Sequence, residues 1–143
     1  MAVAIAFGSQ GSAASSSSVA TIAGMTFNAA ASDRLIAACI ANETADNTTD
    51  IVTAVTIGGV SATKRAESNT SFLARSWIWV AAVPTGTTGD VVITLNTSDA
   101  TMSCATHSIT GAEEVPTDSD AATAASSVAD ISITALTIPT DGA

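Results

Sequence analysis

His107 is the single histidine of the chain, set in Cys104-Ala-Thr-His-Ser-Ile109. Serine, histidine and aspartate together are the makings of a nucleophilic triad, but no serine here lies in the Gly-x-Ser-x-Gly elbow that would expose a nucleophile. We read His107 as a structural or interface histidine, with no catalytic residue assigned. One histidine and two well-separated cysteines also fall short of the four ligands that structural zinc usually takes. Carboxylates gather at Asp46 and Asp50, and again at Glu113, Glu114, Asp118 and Asp120. Such groups can hold Ca²⁺ through carboxylate and carbonyl oxygens, yet none follows a calcium-loop spacing, so hydrated loop charge is the preferred reading and calcium the weighed alternative. No spacing among them marks the carboxylate pair of a glycosidase. Trp77 and Trp79, with Arg75, could form an aromatic platform for a sugar or a subunit interface. In a chain that is 3% aromatic they serve more economically as core anchors.

The elements that hold these residues follow from composition. Ala (30), Thr (22) and Ser (18) fill almost half of the 143 positions, whereas charged residues make up 12%. The side chains that build helical surfaces are scarce, and Thr, Val and Ile suit a pleated, half-buried surface, so the expectation is an all-β domain. Short apolar runs alternate with turn residues at the spacing of a sandwich or jelly roll, which gives eight or nine strands. Arg34 to Ala41 is apolar on both faces and belongs at a sheet centre. Phe72 to Val83 is the strongest strand, and period two puts Arg75, Trp77 and Trp79 on one face. Asp90 to Asn96 alternates cleanly, with Val91, Ile93 and Leu95 inward. Gly58 and Gly59 mark a tight hairpin turn, with Val60 to Glu67 as the returning strand. Pro84, Gly86 and Gly111 mark further turns. Val128 to Ile138 reads as the last strand.

Residues 8 to 18 are Gly/Ser-rich, so residues 1–18 are expected to form a flexible arm ahead of a sandwich domain spanning 19–143. Pro139-Thr-Asp-Gly142 reads as a turn toward one more strand, which leaves the last strand missing or supplied by a neighbour. Cys39 and Cys104 sit in apolar runs and are read as buried free thiols in preference to a disulfide. The N-terminus has no basic, apolar export signal, so a cytoplasmic start is expected, and no apolar stretch is long enough to span a bilayer as a helix. Four of the five asparagines (Asn42, Asn47, Asn69 and Asn96) stand in Asn-x-Ser/Thr patterns. In a Ser/Thr-rich chain without an export signal these read as polar loop residues. The net charge of −9 with four basic residues argues against nucleic acid as a partner.

Several segments together carry a resemblance: Val55-Thr-Ile-Gly-Gly-Val-Ser-Ala-Thr63, Trp77-Ile-Trp-Val80, Pro84-Thr-Gly86, Val91-Val-Ile-Thr-Leu95 and Ala105-Thr-His-Ser-Ile-Thr-Gly111. Over residues 18 to 140 the chain resembles jelly-roll or immunoglobulin-like β-sandwich modules of tailed-bacteriophage virions. The resemblance implies a non-enzymatic structural protein without cofactor, assembled in the host bacterial cytoplasm and carried in the virion. Its implied role is a capsid decoration or cement protein. The partners are the major capsid protein and further copies of itself, a trimer being favoured. A head spike or a receptor- or carbohydrate-binding tail-fibre module is the alternative.

Overall fold

The structure is a computed structural model that describes residues 3–15, 18–43, 52–68, 74–96 and 101–112. These form nine strands: β1 (Ala4–Ala14), β2 (Val19–Thr26), β3 (Leu35–Glu43), β4 (Val52–Ile57), β5 (Val60–Ser61), β6 (Thr63–Ser68), β7 (Ala74–Ala82), β8 (Thr88–Leu95) and β9 (Thr101–Thr110). The expected strand Val128 to Ile138 and the acidic loops lie outside the described residues.

The hairpin at Gly58-Gly59 is the centre of the winding. Both glycines have positive φ (58° and 81°), a region closed to most side chains, and the turn joins β4 to β5. Around that hairpin the ladders nest: β3 pairs with β7, β2 with β8 and β1 with β9, all antiparallel. The chain is a long ribbon rolled on itself into two sheets, ordered β1-β9-β3-β7-β6 and β2-β8-β4-β5. This is an all-β sandwich whose nested pairing follows the jelly-roll winding, not the immunoglobulin order.

Strand β3 occupies the middle of the five-stranded sheet, as its two apolar faces require. Ile36, Ala38 and Ile40 point into the core, where they meet Trp77, Trp79 and Met102 of their own sheet and Ile22, Val55, Ile57, Val91, Ile93 and Leu95 of the other. A bulge between Val52 and Ala54 lets Val52 and Val55, which are of opposite parity, both face inward.

Two expectations are corrected. The run from Val60 to Glu67 is not one returning strand: after two rungs, Thr56↔Ser61 and Ile57↔Val60, the chain leaves for the other sheet. The switch falls at Ala62, which packs on the core and donates its N–H to the Val55 carbonyl (2.9 Å). The flexible arm expected over residues 1–18 is, from Ala4 to Ala14, an edge strand in register with β9. Its small residues are there for close approach. A Cβ at Gly8 would stand 2.7 Å from the Thr106 hydroxyl and closer still to the Thr26 carbonyl oxygen, and one at Gly11 would stand 2.7 Å from an Ile22 methyl. The Ser9 hydroxyl accepts the Thr26 N–H (2.8 Å), so polarity in this segment is spent on bonds between strands.

Because the obstacle at Gly8 is backbone, it cannot swing aside. Gly8→Ala is expected to lower stability by about 2 kcal/mol or more, read as a lower urea midpoint at unchanged slope, while Ser12→Ala on the exposed side changes it by less than about 0.5 kcal/mol.

Candidate functional site

The most elaborate polar site surrounds Arg34, the residue before β3. Its side chain is almost fully buried, and all of its N–H groups find backbone carbonyls. Nε donates to Val83 (2.8 Å), Nη1 to Phe27 (3.2 Å) and Asn28 (3.0 Å), and Nη2 to Thr85 (2.8 Å) and Gly86 (2.8 Å). The main chain adds Arg34 N–H to Ala31 and Val83 N–H to the Arg34 carbonyl, both 3.1 Å. One guanidinium thereby ties the β2–β3 loop to the β7–β8 loop at one end of the sandwich. Burial pulls its pKa below the ordinary value, but guanidinium basicity is high enough to leave it charged at neutral pH, held by carbonyl dipoles. Arg34 reads in the sequence merely as the start of a strand. The available signal was a lone cation directly ahead of a run apolar on both faces.

A second polar cluster fastens β1. The Thr106 hydroxyl reaches the Thr26 carbonyl (2.9 Å) and receives the Ser9 N–H (3.2 Å), at the place where β1 and β2 both bulge. Asn28, with φ +60°, donates from Nδ2 to Phe7 O (3.1 Å) and Ser108 Oγ (3.0 Å). These bonds satisfy groups that the interrupted ladders leave free.

The turn residues occupy the positions their types suggest. Pro84 and Gly86 shape the loop that supplies carbonyls to Arg34, and Gly86 has φ +72°. Gly111, with φ +74°, donates its N–H to the Asp33 carboxylate (2.7 Å) just beyond β9. Trp77 (1% exposed) and Trp79 (7%) lie in the core, so neither indole presents a face to a ligand. Arg75 stands two residues earlier on the same face of β7, half-buried and cross-strand from Asn42. His107 faces outward on β9, edge-on to the Phe7 ring (centroids 5.5 Å, planes at 68°). Of the Asn-x-Ser/Thr positions, Asn42 is buried and Asn96 exposed, while Asn47 and Asn69 lie outside the described residues, as do Asp46, Asp50, Glu113, Glu114, Asp118 and Asp120.

The thiols are free and face opposite ways. Cys104 points into the core, and Cys39 lies on the outer face of the same sheet; Cβ atoms on opposite faces cannot bridge. Burial pushes both thiols up, Cys104 to about 12, with Cys39 adding a smaller electrostatic contribution there. At the far edge Lys64 bonds Glu67 (2.5 Å) and holds that carboxyl below its ordinary value. The pair is partly exposed and contributes little stability.

On the outer face of the five-stranded sheet four successive cross-strand rows carry no charge, and the next row, Ala14–Thr101–Glu43–Ala74, brings in Glu43. Cross-strand rows run Ile5–Ile109–Leu35–Ala82, then Phe7–His107–Ala37–Val80, Gln10–Ala105–Cys39–Ile78, and Ser12–Ser103–Ala41–Ser76. No Asp, Glu, Lys or Arg interrupts them. The face grades from apolar at one end to small and polar at the other, where Gln10, Ser12, Cys39, Ala41, Ser103 and Ala105 line an open trough of about 530 Å³.

Two outcomes follow from these groups. Arg34→Met strands five carbonyls and should cost about 3 kcal/mol or more, with Arg34→Lys recovering only part because an ammonium offers three donors, both read by thermal unfolding. The raised thiol pKa of Cys104 favours the folded state only while the thiol stays protonated. Its contribution is complete below pH 9.0, the ordinary value, and is lost as pH rises toward about 12. Cys104→Ala should therefore show a shallower loss of stability than the parent chain between those limits, measured by urea unfolding at stepped pH.

No protein-family model matches the chain, and no curated protein or solved structure matches it either.

Proposed function

We propose that the chain is a structural protein of a tailed-bacteriophage particle, acting as a capsid decoration or cement subunit that binds the major capsid protein and its own copies, a trimer being favoured. The observation that carries this reading is the run of four uncharged cross-strand rows on the outer face of the five-stranded sheet, bordered by the exposed apolar side chains of β1. Apolar side chains at one end offer area to bury, and the small ones at the other let a neighbour's backbone come close, which is what a lattice component needs. Jelly rolls recur in viral capsid and lectin domains, so the winding supports this role by analogy of fold alone. The net charge of −9 would keep free subunits apart before assembly.

The test is mass spectrometry of density-gradient-purified particles from the source, with this chain quantified against the major capsid subunit. A fixed ratio near one copy per capsid subunit is the expected result. A few copies per particle would move the chain to a spike or fibre, and its absence from particles would overturn the virion reading.

A further inference from the structure

Among the described residues the two sheets have four edges, and three are guarded. Edge strand β6 carries Lys64, Arg65 and Glu67 and is bulged between Lys64 and Ala66. Edge strand β5 is two residues long. Edge strand β2 is bulged between Ile22 and Met25, and the Asp90 carboxylate takes the Gly24 N–H (3.0 Å). Charge, shortness and bulging are the means by which natural sheets keep their edges from pairing with other chains. Edge strand β1 is different. It is eleven residues long, and from Val3 to Ser15 there is no charged residue and no proline. With Val3 just ahead of it, it carries the three most exposed large apolar side chains among the described residues, Val3 (50%), Ile5 (68%) and Phe7 (56%), at alternate positions. Asn28 Nδ2 reaches the Ala6 (3.4 Å) and Phe7 (3.1 Å) carbonyls and β1 bulges between Phe7 and Gln10, so the edge runs straight only over Val3–Phe7, with Asn28 seated at its Phe7 end.

We propose that this edge pairs with itself: two copies join β1 to β1, antiparallel about a two-fold axis at Ile5, and merge their five-stranded sheets into one of ten strands. The register follows from the sequence. With the axis at Ile5, Val3 of one copy opposes Phe7 of the other, Ala4 opposes Ala6, and Ile5 meets its own copy. Six exposed apolar side chains then cover one another on a single face, next to Ile109 and His107, the β9 partners of Ile5 and Phe7. Moving the axis toward Ser9 would set the apolar half against the Gly/Ser half. No charged side chain lies on β1 itself, so the strand that would pair carries no repulsion of its own. The pairing does not depend on the virion reading, since it gives the purified chain a two-fold dimer whatever it decorates, and a trimer as the sedimenting species would overturn it.

The test is sedimentation velocity of the full chain over about a hundredfold range of concentration, with Ile5→Lys and Ile78→Lys compared. Both side chains are exposed, so both variants should keep the parent circular dichroism and melting temperature. Ile78 lies on the same sheet face but on β7, away from the edge. The expected result is a monomer–dimer equilibrium that Ile5→Lys weakens at least about tenfold and Ile78→Lys leaves nearly unchanged. Ile5→Cys should further give a disulfide-linked dimer under mild oxidation, where Ser12→Cys does not. A monomer at every concentration would overturn the proposal, as it would if another segment of the chain covers β1. A dimer indifferent to Ile5→Lys would overturn it too, by placing the contact elsewhere. Neither result bears on the particle stoichiometry, so the two readings fail separately.

Discussion

A sandwich must fill the gap of roughly 10 Å between its sheets with side chains, and this chain has few large ones. Almost half of it is Ala, Ser and Thr. The interior volume therefore falls to a small set, chiefly Trp77, Trp79, Phe27, Met25, Met102 and the isoleucines at 22, 36, 40, 57 and 93. Where such residues run out, the backbones come closer. Gly8 and Gly11 of β1 lie against Thr26 and Ile22 of β2, at separations that admit no added carbon. The scarcity of bulk explains both the concentration of aromatic rings on β7 and the tight seam between β1 and β2.

Close approach also brings polar backbone into places water cannot reach, and the side chains that answer it are short hydroxyls and a single long cation. Thr106, Ser9 and Asn28 serve the bulged seam, whereas Arg34 serves the adjoining corner of the two loops and shares Asn28 with that seam. A guanidinium suits that corner because its five donors diverge in a plane and reach carbonyls from two loops at once. The β2–β3 and β7–β8 loops are tied through one side chain, so the end of the sandwich they form holds its shape without a large hydrophobic cluster.

Much of this was legible in the sequence, and the limits have physical reasons. Strand content, the central place of β3, the Gly58-Gly59 hairpin and the inward set Val91, Ile93 and Leu95 follow from period-two alternation and from the φ that glycine alone adopts cheaply. Edge strand β1 was misjudged because glycine and serine signal flexibility in isolation, and only the neighbouring strand shows that they are contact surfaces. The break at Ala62 was invisible because alternation continues through it while the partner changes. Arg34 is a similar case: a side chain reveals its charge in sequence, but the carbonyls that receive it come from residues seven and some fifty positions away. The four uncharged rows of the outer face emerge only when the register aligns residues from four strands.

The nested ladders bear on the order of events in folding. Residues paired at Ile57↔Val60 are 3 apart in sequence, those at Leu35↔Ala82 are 47 apart, those at Val19↔Thr94 are 75 apart and those at Ala4↔Thr110 are 106 apart. Each ladder shortens the loop that the next must close, so the chain can zip outward from the Gly58-Gly59 turn at a modest entropic cost per step. The β1–β9 ladder is then the last to form. Residues 4–14 are made first and dock last, so the apolar side chains of β1 stay exposed longest while the chain is being made and folded.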